Sequence, residues 1–356
     1  MRVVALGGGH GLHATLSALR ELAGRGVADA RLTAVVTVAD DGGSSGRLRR
    51  ELGLLPPGDL RMAMAALAAE DPAGRRWATL VQHRFGGTGA LAGHAVGNLL
   101  LAGLMDTLGD PVAALDAVGD LLGVRGRVLP MCAEPLDIEA EVTGLGPGGP
   151  HRIRGQVAVA STPGRVRRVW LHPAEPRACP EAVAAVHDAD LLVLGPGSWF
   201  TSVLPHLLVP ELRDAVLTSR ARRVVVLNLA PEPGETAGFS PERHLAVLSE
   251  HARELRVDAI VADVAAVPVP DLLLRAAAPM LSPGGRVHLA AVAADPARHD
   301  PVALADALGA VAGPGESRDP SSGGAGAAVP GPPAAPGSTP APDSTVQPGR
   351  RSVTWR

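Results

Sequence analysis

Several apolar runs in this chain end in glycines, and those junctions are where its chemistry is legible. Val3-Val4-Ala5-Leu6 runs into Gly7, Gly8, Gly9, His10 and Gly11, and then into helical text. Glycines let a backbone turn tightly and approach a phosphate, and a helix start offers unpaired N–H groups with partial positive charge. Leu12 occupies the last glycine position of the dinucleotide fingerprint, so the spacing departs from a strict GxGxxG. A purely structural tight turn is the competing reading. A second junction repeats the layout. Leu191-Leu192-Val193-Leu194 leads to Gly195, Pro196, Gly197 and Ser198, with further hydroxyls at Thr201 and Ser202. Val226-Leu227-Asn228 then leads to Pro233-Gly234-Glu235-Thr236.

The carboxylates sit at a third junction. Val35 to Ala39 delivers Asp40 and Asp41, followed by Gly42, Gly43, Ser44, Ser45, Gly46 and Arg47, which read as a flexible polar loop. Carboxylates at a strand end accept hydrogen bonds from sugar hydroxyls or hold Mg2+, and they also cap turns. Asp59 and Arg61 lie two apart behind Pro56-Pro57-Gly58, placed either to touch a ligand or to close the loop as an ion pair. His94 and Asn98 stand at a helix start, suited to a ligand or to satisfying loop backbone.

The elements that must position these residues follow from periodicity. Strands are expected at 3–6, 32–39, 191–194, 224–228 and 259–262, mostly apolar on successive residues, as strands covered on both faces require. Helices are expected at 12–22, 63–69, 96–108, 112–122, 212–220 and 241–254, the last with Ser240 as N-cap and Pro241 at its first position. The fold class this predicts is α/β, Rossmann-like, with a mostly parallel sheet and helices on both faces. Residues 128–172 break the pattern and read as a small antiparallel β insertion, with strands at 136–142, 153–159 and 166–171. In such sheets several strand-end loops converge at one edge, where ligands bind.

Composition bounds the alternatives. The chain has 356 residues, a net charge of −3 and two cysteines, Cys132 and Cys179. It contains no lysine and no tyrosine. A P-loop lysine and a Schiff-base lysine are thereby excluded, and anions must be held by backbone N–H groups and arginines. The charge argues against general nucleic-acid or membrane-surface binding, and no apolar run is long enough to span a bilayer. With no signal-peptide pattern at the start and few cysteines, a cytoplasmic location is expected. Residues 1–312 read as one nucleotide-binding domain, and 313–356, rich in Gly, Pro and Ser, as a disordered tail.

Taken together, the segments resemble the YvcK proteins, called gluconeogenesis factors, of the CofD-like superfamily. The resemblance rests on Gly7-Gly8-Gly9, on the string from Val36 through Asp40-Asp41-Gly42-Gly43-Ser44-Ser45-Gly46 to Arg49, and on Pro56 to Arg61. It extends to Val124 through Pro130, Gly195 to Ser198, Pro233 to Thr236, and Arg298-His299-Asp300. It implies a cytoplasmic regulator that binds UDP-sugars, chiefly UDP-N-acetylglucosamine. Such a regulator would act on cell shape, peptidoglycan synthesis and gluconeogenic growth through a protein partner, and the resemblance leaves homo-oligomerisation open. It also implies that Arg298 is available to pair with the diphosphate. The superfamily offers the alternative of a 2-phospho-L-lactate transferase with a nucleotide donor, its Mg2+ on Asp40 or Asp41.

Overall fold

In the computed structural model, residues 1–25, 31–146 and 149–313 are described. Apart from Gly313, the tail read from 313 onward lies outside them. β1 (Arg2–Gly7) and β2 (Arg31–Val36) are buried along nearly their whole length, and β3 (Arg127–Pro130) pairs beside β2. β4 (Asp137–Thr143), β5 (His151–Arg154) and β6 (Arg165–His172) follow, then β7 (Leu191–Leu194), β8 (Arg222–Val226), β9 (Val257–Asp263) and β10 (Leu281–Ala290). β11 (Ala293–Asp295) and β12 (Arg298–His299) form a short hairpin.

The main sheet is seven-stranded, in the order β10-β9-β8-β7-β1-β2-β3, and every pairing in it is parallel. From β1 the chain first winds outward through β2 to β3, then returns to the other side of β1 and winds outward from β7. The reversal falls between β1 and β7, where Leu6 lies opposite Leu194. Two neighbouring strands there send their following loops in opposite directions, opening a crevice at their carboxyl ends.

The helices are α1 (Gly9–Gly24), α2 (Gly43–Leu52), α3 (Pro57–Leu67), α4 (Pro72–Gln82), α5 (Val96–Leu108) and α6 (Pro111–Leu122), then α7 (Gln156–Ala160), α8 (Pro180–Asp188), α9 (Pro210–Thr218), α10 (Pro241–His251), α11 (Pro270–Ala277) and α12 (Pro301–Ala312). α1 packs against α3 and α12, and α8 against α9. The core between helices and sheet is aliphatic, with Leu12, Leu16 and Leu19 of α1 almost fully buried. Four helices start at side-chain caps: Asp71, Asp110, Ser240 and Asp300 each accept backbone N–H groups of the first turn. α1 and α2 instead start at Gly8 and Gly42, with no side-chain cap. The Gly9 N–H of α1 bonds the Asp59 carboxyl, and the first-turn N–H groups beyond it have no side-chain cap.

The expected strands of the main sheet are present, with shifted ends. The strand expected over 32–39 stops at Val36, level with the ends of its two paired neighbours, β1 at Gly7 and β3 at Pro130. The polar segment read as a flexible loop from Gly42 is helical from Gly43 on. Leu48 is buried, and Arg49 donates to the Leu136 carbonyl and pairs with Asp137 at 2.6 Å, so tertiary contacts override the composition. The antiparallel sheet, in the order β5-β4-β6, begins at Asp137, and residues 128–130 belong to β3 of the main sheet. The strand expected over 153–159 ends at Arg154, and the chain turns into α7. That helix is capped from far away in sequence, since the Asp41 Oδ1 accepts the Val157 N–H at 2.9 Å.

Candidate functional site

The first glycine loop is shaped by two close approaches. A Cβ on Gly8 would stand 2.4 Å from Thr37 Cγ2 and 2.6 Å from Asp59 Oδ2. A Cβ on Gly11 would stand 2.2 Å from the Pro196 carbonyl oxygen and 2.5 Å from Gly197 Cα. Contacts below 3 Å are not tolerated, so only glycine lets α1 start against the second glycine loop. His10, Gly11 and Gly197, with Asn228 and Arg298, line a cavity of about 490 Å3 between α1, the 228–233 loop and the β11–β12 hairpin. Much of the remaining wall is alanine and proline. A cleft of this size with few polar groups suits a small organic ligand.

The carboxylates lie on the other side of Gly8. Asp59 occupies the first turn of α3, and burial together with the neighbouring Asp40 pushes its carboxyl up to about 7. Asp40 turns one oxygen to the Gly42 N–H at 2.9 Å, while the other lies near Gly58, against which Ser45 also packs. Thr37 is 3% exposed, and its hydroxyl has no hydrogen-bond partner. Arg61, only 4% exposed, donates from Nε to Asn98 Oδ1 at 2.8 Å. Asn98 Nδ2 donates to Ser44 Oγ at 3.0 Å, and Ser44 Oγ lies 2.9 Å from His94 Nδ1. Burial, with Arg84 nearby, lowers the Arg61 guanidinium to about 10, and Asp59 and Asp40 act to hold its charge. Asp59 and Arg61 form no ion pair within 4 Å, so the loop-closing bridge considered for them is not made.

The second glycine loop is held from behind. The Asn228 amide exchanges hydrogen bonds with both backbone groups of Gly197, and Ser198 Oγ donates to Glu232 Oε2. Past it, Trp199–Val203 forms a π-helical turn, and the Phe200 N–H donates to Glu235 Oε1 at 3.1 Å.

The structure therefore gathers Gly7, Gly8, Gly9, His10, Gly11, Gly195, Gly197, Ser198 and Asn228 at the strand reversal. Asp40, Ser45 and Asp59 stand behind Gly8, and Ser44 and Asn98 belong to the Arg61 network. Gly43 is exposed at the start of α2. Two residues are placed differently from the rest. Asp41 faces the antiparallel insertion, with Oδ1 on Val157 N–H and Oδ2 in the space a Gly155 side chain would fill. Arg298 lies at the cavity rim, its side chain 79% exposed and its Nε on Asp295 Oδ2 at 2.7 Å. Sequence reasoning marked Ser202 as a hydroxyl of the second glycine junction but did not single out Thr37 or Glu232. Thr37 packs on Gly8, as Ser202 does, so its signal was adjacency to a glycine junction already marked.

A parallel sheet whose winding reverses between β1 and β7, covered by helices, defines a domain of the doubly wound α/β class. The family model for 2-phospho-L-lactate transferase CofD matches residues 3–287. The chain is 60% identical over 314 residues to the "Putative gluconeogenesis factor" of Mycobacterium tuberculosis, covering 87% of this chain and 90% of that protein. It is 39% identical over 267 residues to the "Gluconeogenesis factor" of Listeria monocytogenes, covering 75% and 79% respectively. The fold is similar to the crystal structure of a UPF0052 family member from Bacillus halodurans, with a TM-score of 0.73 and 33% identity. That likeness covers 86% of this chain and 98% of the other. The chain belongs to the CofD family, and within it to the YvcK-like gluconeogenesis factors. Among the described residues, no helix is long and apolar enough to cross a membrane.

Proposed function

We propose that this chain is a nucleotide-sugar-binding regulator, with UDP-N-acetylglucosamine as its ligand, acting on wall synthesis, cell shape and carbon metabolism through a protein partner in the cytoplasm. The observation that carries this reading is the meeting of two glycine loops with the uncapped start of α1, beside a cavity of about 490 Å3. A diphosphate would lie across the glycine backbones, where N–H groups and the helix dipole favour negative charge. The adjoining cavity would take the uncharged end of the ligand. Relatives named gluconeogenesis factors support the link to carbon metabolism.

A transferase reading is favoured by one observation, the Asp40–Asp59 pair. Two carboxylates close enough for one to raise the other's pKa, with Ser45 adjacent, fit a divalent cation. Such an ion would offset phosphate charge during group transfer. Among the described residues no three His, Cys, Asp or Glu side chains form a metal cluster, so phosphate oxygens or water would complete its coordination. Asp41 does not fit that role, because both its oxygens face the insertion.

The experiment is a thermal-shift screen of uridine and guanosine nucleotides with and without sugars, followed by calorimetry of the hits. Binding to the folded state raises its stability by mass action, so UDP-N-acetylglucosamine should give the largest shift. Turnover of phospholactate with a guanosine donor and Mg2+ would replace the regulator reading with the transferase one.

A further inference from the structure

One loop spans the gap between the crevice and the insertion. Residues 228–233 line the cavity, Gly234 packs on the Ala160 carbonyl of α7, and the Glu235 N–H donates to that carbonyl at 3.4 Å. Along the same stretch, three side chains grip successive parts of the second glycine loop. Asn228 holds Gly197, Glu232 holds Ser198, and Glu235 holds Phe200.

Glu235 is the unusual member of this set. It is 1% exposed, and its Oε2 has no hydrogen-bond partner, nor has the adjacent Thr201 hydroxyl. Among the described residues, no arginine pairs with it. The groups around it are Glu232 on its own loop, and His244 and His251 of α10, which packs on Trp199 and Phe200. Burial lowers both imidazoles, and the Phe200 and Trp199 N–H groups and the Thr201 hydroxyl offset a charge on the carboxyl by less than its burial and Glu232 oppose it.

We infer that Glu235 is a positioning residue. By holding the turn after Ser198 it sets the Gly195–Ser198 backbone for an anionic ligand and ties that backbone to α7 of the insertion. The inference rests on the reading that this loop receives phosphate. Burial, with Glu232 nearby, pushes the carboxyl up to about 8, so near neutrality it keeps its proton. The protonated Oε2 can donate to Thr201, which would satisfy both orphan groups with a small rotation. Ionisation would instead set two carboxylates against each other behind the loop, loosening the hold of Glu232 on Ser198.

The test compares wild type, Glu235→Gln and Glu235→Ala. Tryptophan emission of the ligand-free proteins is titrated from about pH 6 to about pH 9, since Trp199 adjoins the carboxyl. UDP-N-acetylglucosamine and UDP are titrated calorimetrically at both ends of that range. Wild-type emission should show a transition near pH 8 that Glu235→Gln lacks. Glu235→Gln should bind as wild type does near neutrality and keep its affinity in alkali, where wild type weakens about five-fold or more. Glu235→Ala should be about ten-fold weaker throughout. A Gln variant as weak as Ala, or wild-type affinity independent of pH, overturns the inference. If wild type binds neither nucleotide, the functional reading fails by itself. The emission titration then decides: a transition lost in Glu235→Gln sustains Glu235 as the group that sets the loop, and its absence from wild type overturns that.

Discussion

The Asn228 side chain and the Gly197 backbone bond each other twice. The Gly197 N–H donates to Oδ1 at 2.9 Å, and Nδ2 donates to the Gly197 carbonyl at 3.0 Å. An amide that satisfies a donor and an acceptor on one glycine fixes that residue as a neighbouring strand would. β8 therefore carries, just past its end, the part that shapes the loop after β7. The crevice is built by the sheet order, and its walls are held by side chains from the next strand over.

Asn228→Ala should remove both bonds, costing about 1–2 kcal/mol of stability and at least ten-fold in nucleotide-sugar affinity. Asn228→Asp keeps the acceptor and loses the donor, and should fall between. Calorimetry of all three proteins gives the order. An Ala variant that binds as wild type does would place the ligand away from Gly197.

The contact between α1 and the second loop can be tested within one helix. Gly11→Ala forces a methyl against the backbone of Pro196 and Gly197, which cannot yield as a side-chain tip can. It should destabilise by about 1–3 kcal/mol in urea denaturation and abolish ligand shifts. Gly24→Ala, at the far end of the helix with nothing within 4 Å of the new methyl, should be neutral or slightly stabilising. Equal effects at the two positions would mean that crowding at the crevice is not what Gly11 relieves.

Much of this was legible in the sequence, for physical reasons that also mark where legibility stops. Leu191 to Leu194 and Val96 to Leu108 form their elements at the expected bounds, because a buried strand and an apolar helix each announce themselves locally. The glycine junctions were equally plain. α2 was not, because its opening residues favour turns and its helicity comes from contacts near Leu136 and Asp137. α7 was not, because its cap is Asp41, more than a hundred positions earlier. The edge strand β10 was missed because Pro283, Gly284 and Gly285 interrupt its pattern, and its register with β9 shifts there. Arg61 was marked by spacing to Asp59, yet its partner is Asn98, a choice only the packing of α3 on α5 makes visible.

Asp41 has become a structural prediction. Asp41→Ala should lose the cap of α7, about 1 kcal/mol, and speed hydrogen exchange across 156–160. Asp41→Asn keeps an oxygen where Oδ1 stands and should restore protection. Unchanged exchange in the Ala variant would mean the insertion is held by its sheet alone.

Arg298 is set up to act through solvent. Its ion pair with Asp295 is exposed, so Arg298→Ala should cost little stability. Affinity for a diphosphate ligand should drop about ten-fold, most clearly at low salt. If calorimetry gives the same constant for both proteins at low and moderate salt, the rim arginine has no part in binding.

Asp59 gives the pH dependence its sign. Its carboxyl titrates at about 7 when folded, raised from 3.8 by burial and then by Asp40. Between those values the folded chain holds a proton that the unfolded chain has released. Stability from this group is therefore fully present below the unfolded pKa and declines as pH rises toward 7, by at most about 1.4 kcal/mol per pH unit. Asp59→Asn cannot ionise and should flatten this part of the profile, gaining on wild type steadily as pH rises. Midpoints of urea unfolding at several pH values measure the difference, which cancels contributions the two proteins share. A difference that stays constant from acid to neutral pH would mean that Asp59 titrates as an ordinary carboxylate. The crevice would then hold two charges side by side, and a cation or an arginine such as Arg61 would have to balance them.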